Sequence, residues 1–167
     1  RFLGFLLRTY EGYKTTNVDT YLSDTMIIIN AMPTFESREF KKMTAKGKIR
    51  ISDVWDWKIS DIEHAFELAM VRAEQLFGQH TFRKSYGSNN RKPINKSLFE
   101  TWGNLLLGLN DAAYAKLLSN KDTMMEDYVK LLNDNEFHND ISRDSMKQAS
   151  VARRFNKILN LINTYSV

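Results

Sequence analysis

At 167 residues with 43% hydrophobic side chains, the chain has the length of one domain and enough apolar mass to bury a core, so a single domain over 1–167 is expected. A charged fraction of 26% with 12% aromatics excludes the composition of a disordered segment, and the formal charge of +4 suits either an acidic partner or ordinary solubility. The absence of cysteine excludes disulfides and thiolate zinc sites and favours a reducing cytoplasm, while the longest apolar runs, such as Met26-Ile27-Ile28-Ile29, fall far short of the ~20 residues a bilayer span needs.

In chain order, Arg1 to Tyr10 reads as the end of a helix, stopped by Glu11-Gly12 and a polar Lys14 to Asn17 turn. The start at Arg1, with no initiator Met and no signal-peptide cleavage pattern, reads as a piece cut from a longer protein. Asn17 or Asp19 can cap a second helix with Val18, Tyr21, Leu22, Met26, Ile29 and Met32 at helical spacing as far as Pro33, although the β-branched Ile27-Ile28-Ile29 would also suit a strand. Phe35 and Phe40 fit a short helix. Ile49 to Trp57 reads either as a minor strand element or as a long loop pinned by aromatic anchors. Ser60-Asp61-Ile62-Glu63 has the form of a capping box, and Ile62, Ala65, Phe66, Ala69, Met70, Ala73, Leu76 and Phe77 keep one stripe until Gly78.

A charged stretch follows, Thr81 to Trp102, which feeds a helix over Asn95 to Leu109. Its cap is Asn95 or Ser97, with Ser97 and Glu100 in Ser-x-x-Glu spacing. Shorter helices follow from Asp111, from Asp122 and over Asp134 to Ile141, and a last one runs from about Gln148 to Thr164. The expected fold is all-α, an irregular bundle of six to eight helices. Its core is expected to hold Phe66, Met70, Leu76, Phe77, Phe99, Trp102, Leu106, Phe155 and Leu159.

Catalytic constellations are scarce. His64, His80 and His138 invite a metal reading, and Asp61 lies three residues before His64. A di-metal bundle needs a second such pair and further carboxylates, so solvated polar residues are the better account and no metal or cofactor is expected. Asp53 and Asp56 beside Trp55 and Trp57 resemble a sugar cleft only superficially, because a two-carboxylate mechanism depends on a separation that spacing does not give. No nucleophile elbow and no Gly-rich phosphate loop is present.

Basic clustering is the remaining signal. Lysines and arginines gather in three groups, Lys41 to Arg50, Arg83 to Lys96, and Arg143 to Lys157. The first two fall in loops with Gly, Asn or Ser, where cationic side chains and backbone amides can reach phosphates, and Tyr86 is the best stacking candidate. Arg83, Lys84, Arg91, Lys92, Lys96, Arg153 and Arg154 are the candidate nucleic-acid contacts.

The run Phe82-Arg83-Lys84 through Pro93-Ile94-Asn95-Lys96-Ser97-Leu98-Phe99-Glu100-Thr101-Trp102 resembles the helical second half of a bacterial family that carries an N-terminal ParB-like domain. That family has an Asp-Gly-Gln-Gln-Arg signature and includes GmrSD-type modification-dependent restriction proteins. The likeness extends through Ser142 to Lys147 and Arg153-Arg154-Phe155-Asn156-Lys157-Ile158. It implies the helical C-terminal portion of an NTP-dependent DNA-restriction protein, with the N-terminal ParB-like domain and DNA as partners. The signature itself is missing from this chain, as is the family's His-centred nuclease motif. The 167 residues alone are therefore expected to hydrolyse neither nucleotide nor DNA. The alternative is a helical interaction or oligomerisation module that does not touch DNA.

Overall fold

The computed structural model describes residues 1–14, 17–85, 90–143 and 145–167. Among these the chain is all-α, with no strand and one isolated antiparallel bridge, Arg83 to Ile94. The helices are α1 (Phe2–Arg8), α2 (Val18–Ala31), α3 (Arg38–Ala45), α4 (Ile59–Phe77), α5 (Lys96–Leu107), α6 (Asp111–Ser119), α7 (Lys121–Asn133), α8 (Asn135–Asp140) and α9 (Gln148–Ser166). The described residues thus hold nine helices, one more than the six to eight expected, the shortest being the six-residue α8. No strand forms at 49–57. The chain makes a 3-10 turn over Ile51–Asp53 instead, because Ile49 and Val54 are drawn into the apolar cluster between α1, α2 and α3, leaving Ile51 and Trp55 exposed.

Local polar chemistry sets most helix starts. The side chains of Asn17, Ser37, Asn95, Asn110 and Asp134 each accept a backbone N–H of the following first turn, which satisfies amides that have no partner inside the helix. Two expected capping boxes differ. Helix α4 begins one residue before Ser60, with Asp61 Oδ2 accepting the Lys58 N–H at 3.0 Å. Ser97 lies inside α5, and Glu100 turns into the protein interior, where two arginines meet its carboxylate.

Three apolar clusters carry the packing. The largest joins α4, α5, α6, α7 and α9 around Trp102, which is fully buried with Phe77 and Tyr128 edge-on at centroid distances of 4.8 and 5.2 Å. Helix α1 belongs to the other two. Leu7 packs among α2, α3 and the 49–54 turn, and Phe5 packs with Tyr13, Tyr21, Val151 and Phe155. Leu76, Phe77, Trp102, Leu106 and Phe155 are buried as expected, whereas Met70, Phe99 and Leu159 are only partly so. Phe66 departs furthest, with 41% of its surface exposed. Its ring neighbours are Phe2 and Phe99, while α4 buries Ala69, Ala73 and Leu76 instead. A second buried cation secures the end of α5. The Arg72 guanidinium donates to the carbonyls of Leu106 and Leu109 at 2.7 and 2.8 Å and pairs with Asp111, so that α4 caps α5 and holds α6.

Close approach of α1 to α2 depends on Gly4, where an added Cβ would lie 2.5 Å from the Tyr21 ring. Tyr21 is 4% exposed and has little room to withdraw. Gly4→Ala is therefore expected to lower stability by about 1–3 kcal/mol through overpacking, read as a lower urea midpoint at unchanged slope.

Candidate nucleic-acid interface

The loop before α5 is built by backbone geometry rather than by its charges. Phe82 sits at φ 57°, a left-handed conformation unusual for a non-glycine residue. It is held there by a ring that is 5% exposed and edge-on to Phe99 at 4.9 Å. That reversal lets the Phe82 carbonyl accept the Asn95 N–H at 2.8 Å and sets Arg83 opposite Ile94. The two arms are then cross-tied. The Arg83 guanidinium donates to the Lys92 carbonyl, and the buried Ser85 Oγ accepts the Lys92 N–H at 3.1 Å while lying 3.2 Å from His80 Nδ1.

A second turn, 141–147, is fastened to this loop. Asn95 Nδ2 donates to the Ile141 carbonyl at 2.8 Å, and the Lys84 ammonium donates to Ser142 Oγ. Partial burial lowers the pKa of Lys84, because a desolvated ammonium is disfavoured. Asn95 thus caps α5 through Oδ1 and holds the neighbouring turn through Nδ2. The contacts bring two basic groups that lie far apart in sequence onto adjoining turns. Arg91, Lys92 and Lys96 on one, and Arg143 and Lys147 on the other, are exposed. The side chains of Arg91, Lys92 and Lys96 form no ion pair among the described residues.

The other candidates are differently placed. Arg153 pairs with Asp140 and Glu136, and Lys157 with Asp134 and Glu136, so α8 supplies carboxylates that neutralise the surface of α9. Arg154 is not a surface residue at all. It is fully buried, donates to Glu100, Thr101 Oγ1 and the Ser145 carbonyl, and is withdrawn from any phosphate. Burial pulls its pKa down, and Glu100 opposes that shift. The first two amides of α5 that face the loop are likewise committed, since Asn95 Oδ1 accepts the N–H groups of Ser97 and Leu98 at 2.9 and 3.0 Å. The Lys41 to Arg50 group is largely matched: Lys41 pairs with Glu36, Lys48 with Asp24 and Arg50 with Asp53. Arg83 and Arg91 do not pair with Glu100, whose partners are Arg1 and Arg154. Tyr86 lies outside the described residues, as does the Gly87-Ser88-Asn89 segment.

Sequence reasoning missed Ser85, Ser142 and Tyr13, whose hydroxyl donates to the Met146 carbonyl at 2.9 Å and ties the α1–α2 connection to the 141–147 turn. Only the composition of the loops hinted at them. Among the described residues no group of three His, Asp or Glu side chains converges as a metal site would require, and no helix is long and apolar enough to cross a membrane. No family model matches the chain, and neither the curated proteins nor the solved structures contain a match to it.

Proposed function

We propose that this chain is the helical portion of an NTP-dependent DNA-restriction protein of the ParB-like family described above, which supports a catalytic domain and contacts DNA phosphates through the 83–96 and 141–147 turns. The observation that carries the DNA contact is the fastening of the two turns by Asn95 and Lys84, which leaves Arg91, Lys92 and Lys96 exposed with no carboxylate partner among the described residues, beside Arg143 and Lys147. Cations so placed meet the phosphate backbone and carry no sequence information, so binding should be salt-dependent and indifferent to sequence. Arg83 and Lys84 act as ties that shape the surface, and Arg153 and Arg154 hold α9 in place.

The test is Arg91→Glu with Lys92→Glu. It is expected to weaken association with duplex DNA equally across sequences and to flatten the salt slope by about one per lost phosphate contact, with the melting temperature unchanged because neither side chain has an ion pair to lose among the described residues. A lower melting temperature with unaltered DNA binding would make the loop structural and sink the assignment.

A second reading, an interaction module, is favoured by one feature. Ile59 and Phe66 on α4 are 43% and 41% exposed, and Phe66 lines an apolar groove with Phe2, Leu3, Ile62 and Phe99. A stable dimer by light scattering with no shift of DNA would support that reading in place of the first.

A further inference from the structure

A concavity lies away from the basic turns, between the start of α2, the residues that follow α1 and the 48–53 segment. It has a volume of about 720 Å³, within the ~300–1,000 Å³ typical of small-molecule sites. Arg8 lines it. Its Nη2 donates to the Tyr21 carbonyl and to Thr25 Oγ1, which fixes the guanidinium 3.9 Å from the Tyr21 ring centroid. Both acceptors are neutral, Nε is buried with no hydrogen-bond partner, and no carboxylate pairs with Arg8 among the described residues. Desolvation accordingly lowers the Arg8 pKa, a cost that a bound anion would offset.

Three more cations line the same cavity, Lys14, Lys48 and Arg50, against the two carboxylates Asp24 and Asp53. The carboxylates position the cations. Asp24, with a side chain only 14% exposed, accepts from Lys48 Nζ through both oxygens at 3.1 Å, and Asp53 accepts from Arg50. Lys48 and Arg50, 40% and 84% exposed, stand at the rim, while Arg8 lines the wall, where Asp24 acts on it through space without a hydrogen bond. A cationic or neutral ligand would gain little there. A compact anion of two or more charges would meet a planar, oriented guanidinium and the Lys48 ammonium together, the combination that recognises phosphate.

We propose that this cavity is a binding site for a phosphate-bearing small molecule, separate from the basic turns at 83–96 and 141–147. Pyrophosphate and adenosine 5′-monophosphate are the probes, with adenosine as the uncharged control, measured by isothermal titration calorimetry on the full 167-residue chain at low salt. One-to-one binding of at least one phosphate probe and none of adenosine is expected. Lys48→Met, at a side chain 40% exposed, should keep the fold by circular dichroism and weaken that binding about tenfold, as should Arg8→Lys, which keeps the charge but loses the planar fork. Arg91→Glu with Lys92→Glu should leave it unchanged, so failure here and failure of the DNA reading are separable. Absence of binding to both phosphate probes, equal affinity in Lys48→Met and Arg8→Lys, or loss of binding only in the Arg91, Lys92 variant would each overturn the proposal.

Discussion

Glu100→Ala is expected to destabilise the protein by about 3–5 kcal/mol, the cost of leaving a buried charge without its partner. Glu100 and Arg154 both have fully buried side chains, and Arg1 reaches the same carboxylate with Nε on Oε2 and Nη2 on Oε1. Removing the carboxylate leaves Arg154 with only Thr101 Oγ1 and the Ser145 carbonyl, neutral groups that do not balance a desolvated cation. A double-mutant cycle in urea is the check. Replacing both partners by apolar residues, Glu100→Leu with Arg154→Met, should cost less than the sum of the single changes, because neither charge is then stranded. A Glu100→Ala protein within about 0.5 kcal/mol of the parent, the range usual for surface substitutions, would mean that the pair is not buried in solution. Because Arg154 also reaches the Ser145 carbonyl, loss of this network should loosen the 141–147 turn as well as the core.

Trp102→Ala is expected to cost a similar amount, about 3–5 kcal/mol, for a different reason. The ring is wholly buried at the meeting of α4, α5 and α7, in edge contact with Phe77 and Tyr128, and its removal leaves a cavity that three helices would have to close. Its Nε1 is buried with the Tyr128 side chain beside it, and the greater part of what the indole contributes is volume. Trp102→Phe should therefore retain most of the stability, since it gives up only part of the volume. Denaturant midpoints at constant slope would report both changes. Equal losses for Phe and Ala would show that the polar contact at Nε1, and not the ring volume, carries the stability.

The fold was legible where one signal dominated. Helix α4 keeps an apolar stripe for five turns, and Asn95 and Asp134 mark helix starts with side chains that accept first-turn amides, whereas the helix expected from Asp111 is capped by Asn110 instead. It was illegible at 49–57, where alternating apolar residues fit a strand. Such a strand needs a partner edge, and the segment instead turns to bury Ile49 and Val54 among neighbouring helices. Phe66 was misplaced because periodicity identifies a helix face without saying how far along the helix the neighbours extend. The candidate site was legible as charge and illegible as geometry. Arg91, Arg153 and Arg154 look alike in sequence. The partner decides their roles: none among the described residues for Arg91, Asp140 and Glu136 for Arg153, and Glu100 for Arg154. Spacing gave no warning that Glu100, placed where a capping residue would serve, turns inward to hold two arginines.

The central claim is that the adjoining 83–96 and 141–147 turns bind DNA phosphates. Its most direct test is the salt dependence of association between the 167-residue chain and two duplexes of equal length and unrelated sequence. Binding to both should fall along parallel lines of log affinity against log salt, with a slope of roughly −0.9 for each phosphate contact. Affinity that is absent at low salt, or that does not change with salt, would contradict it.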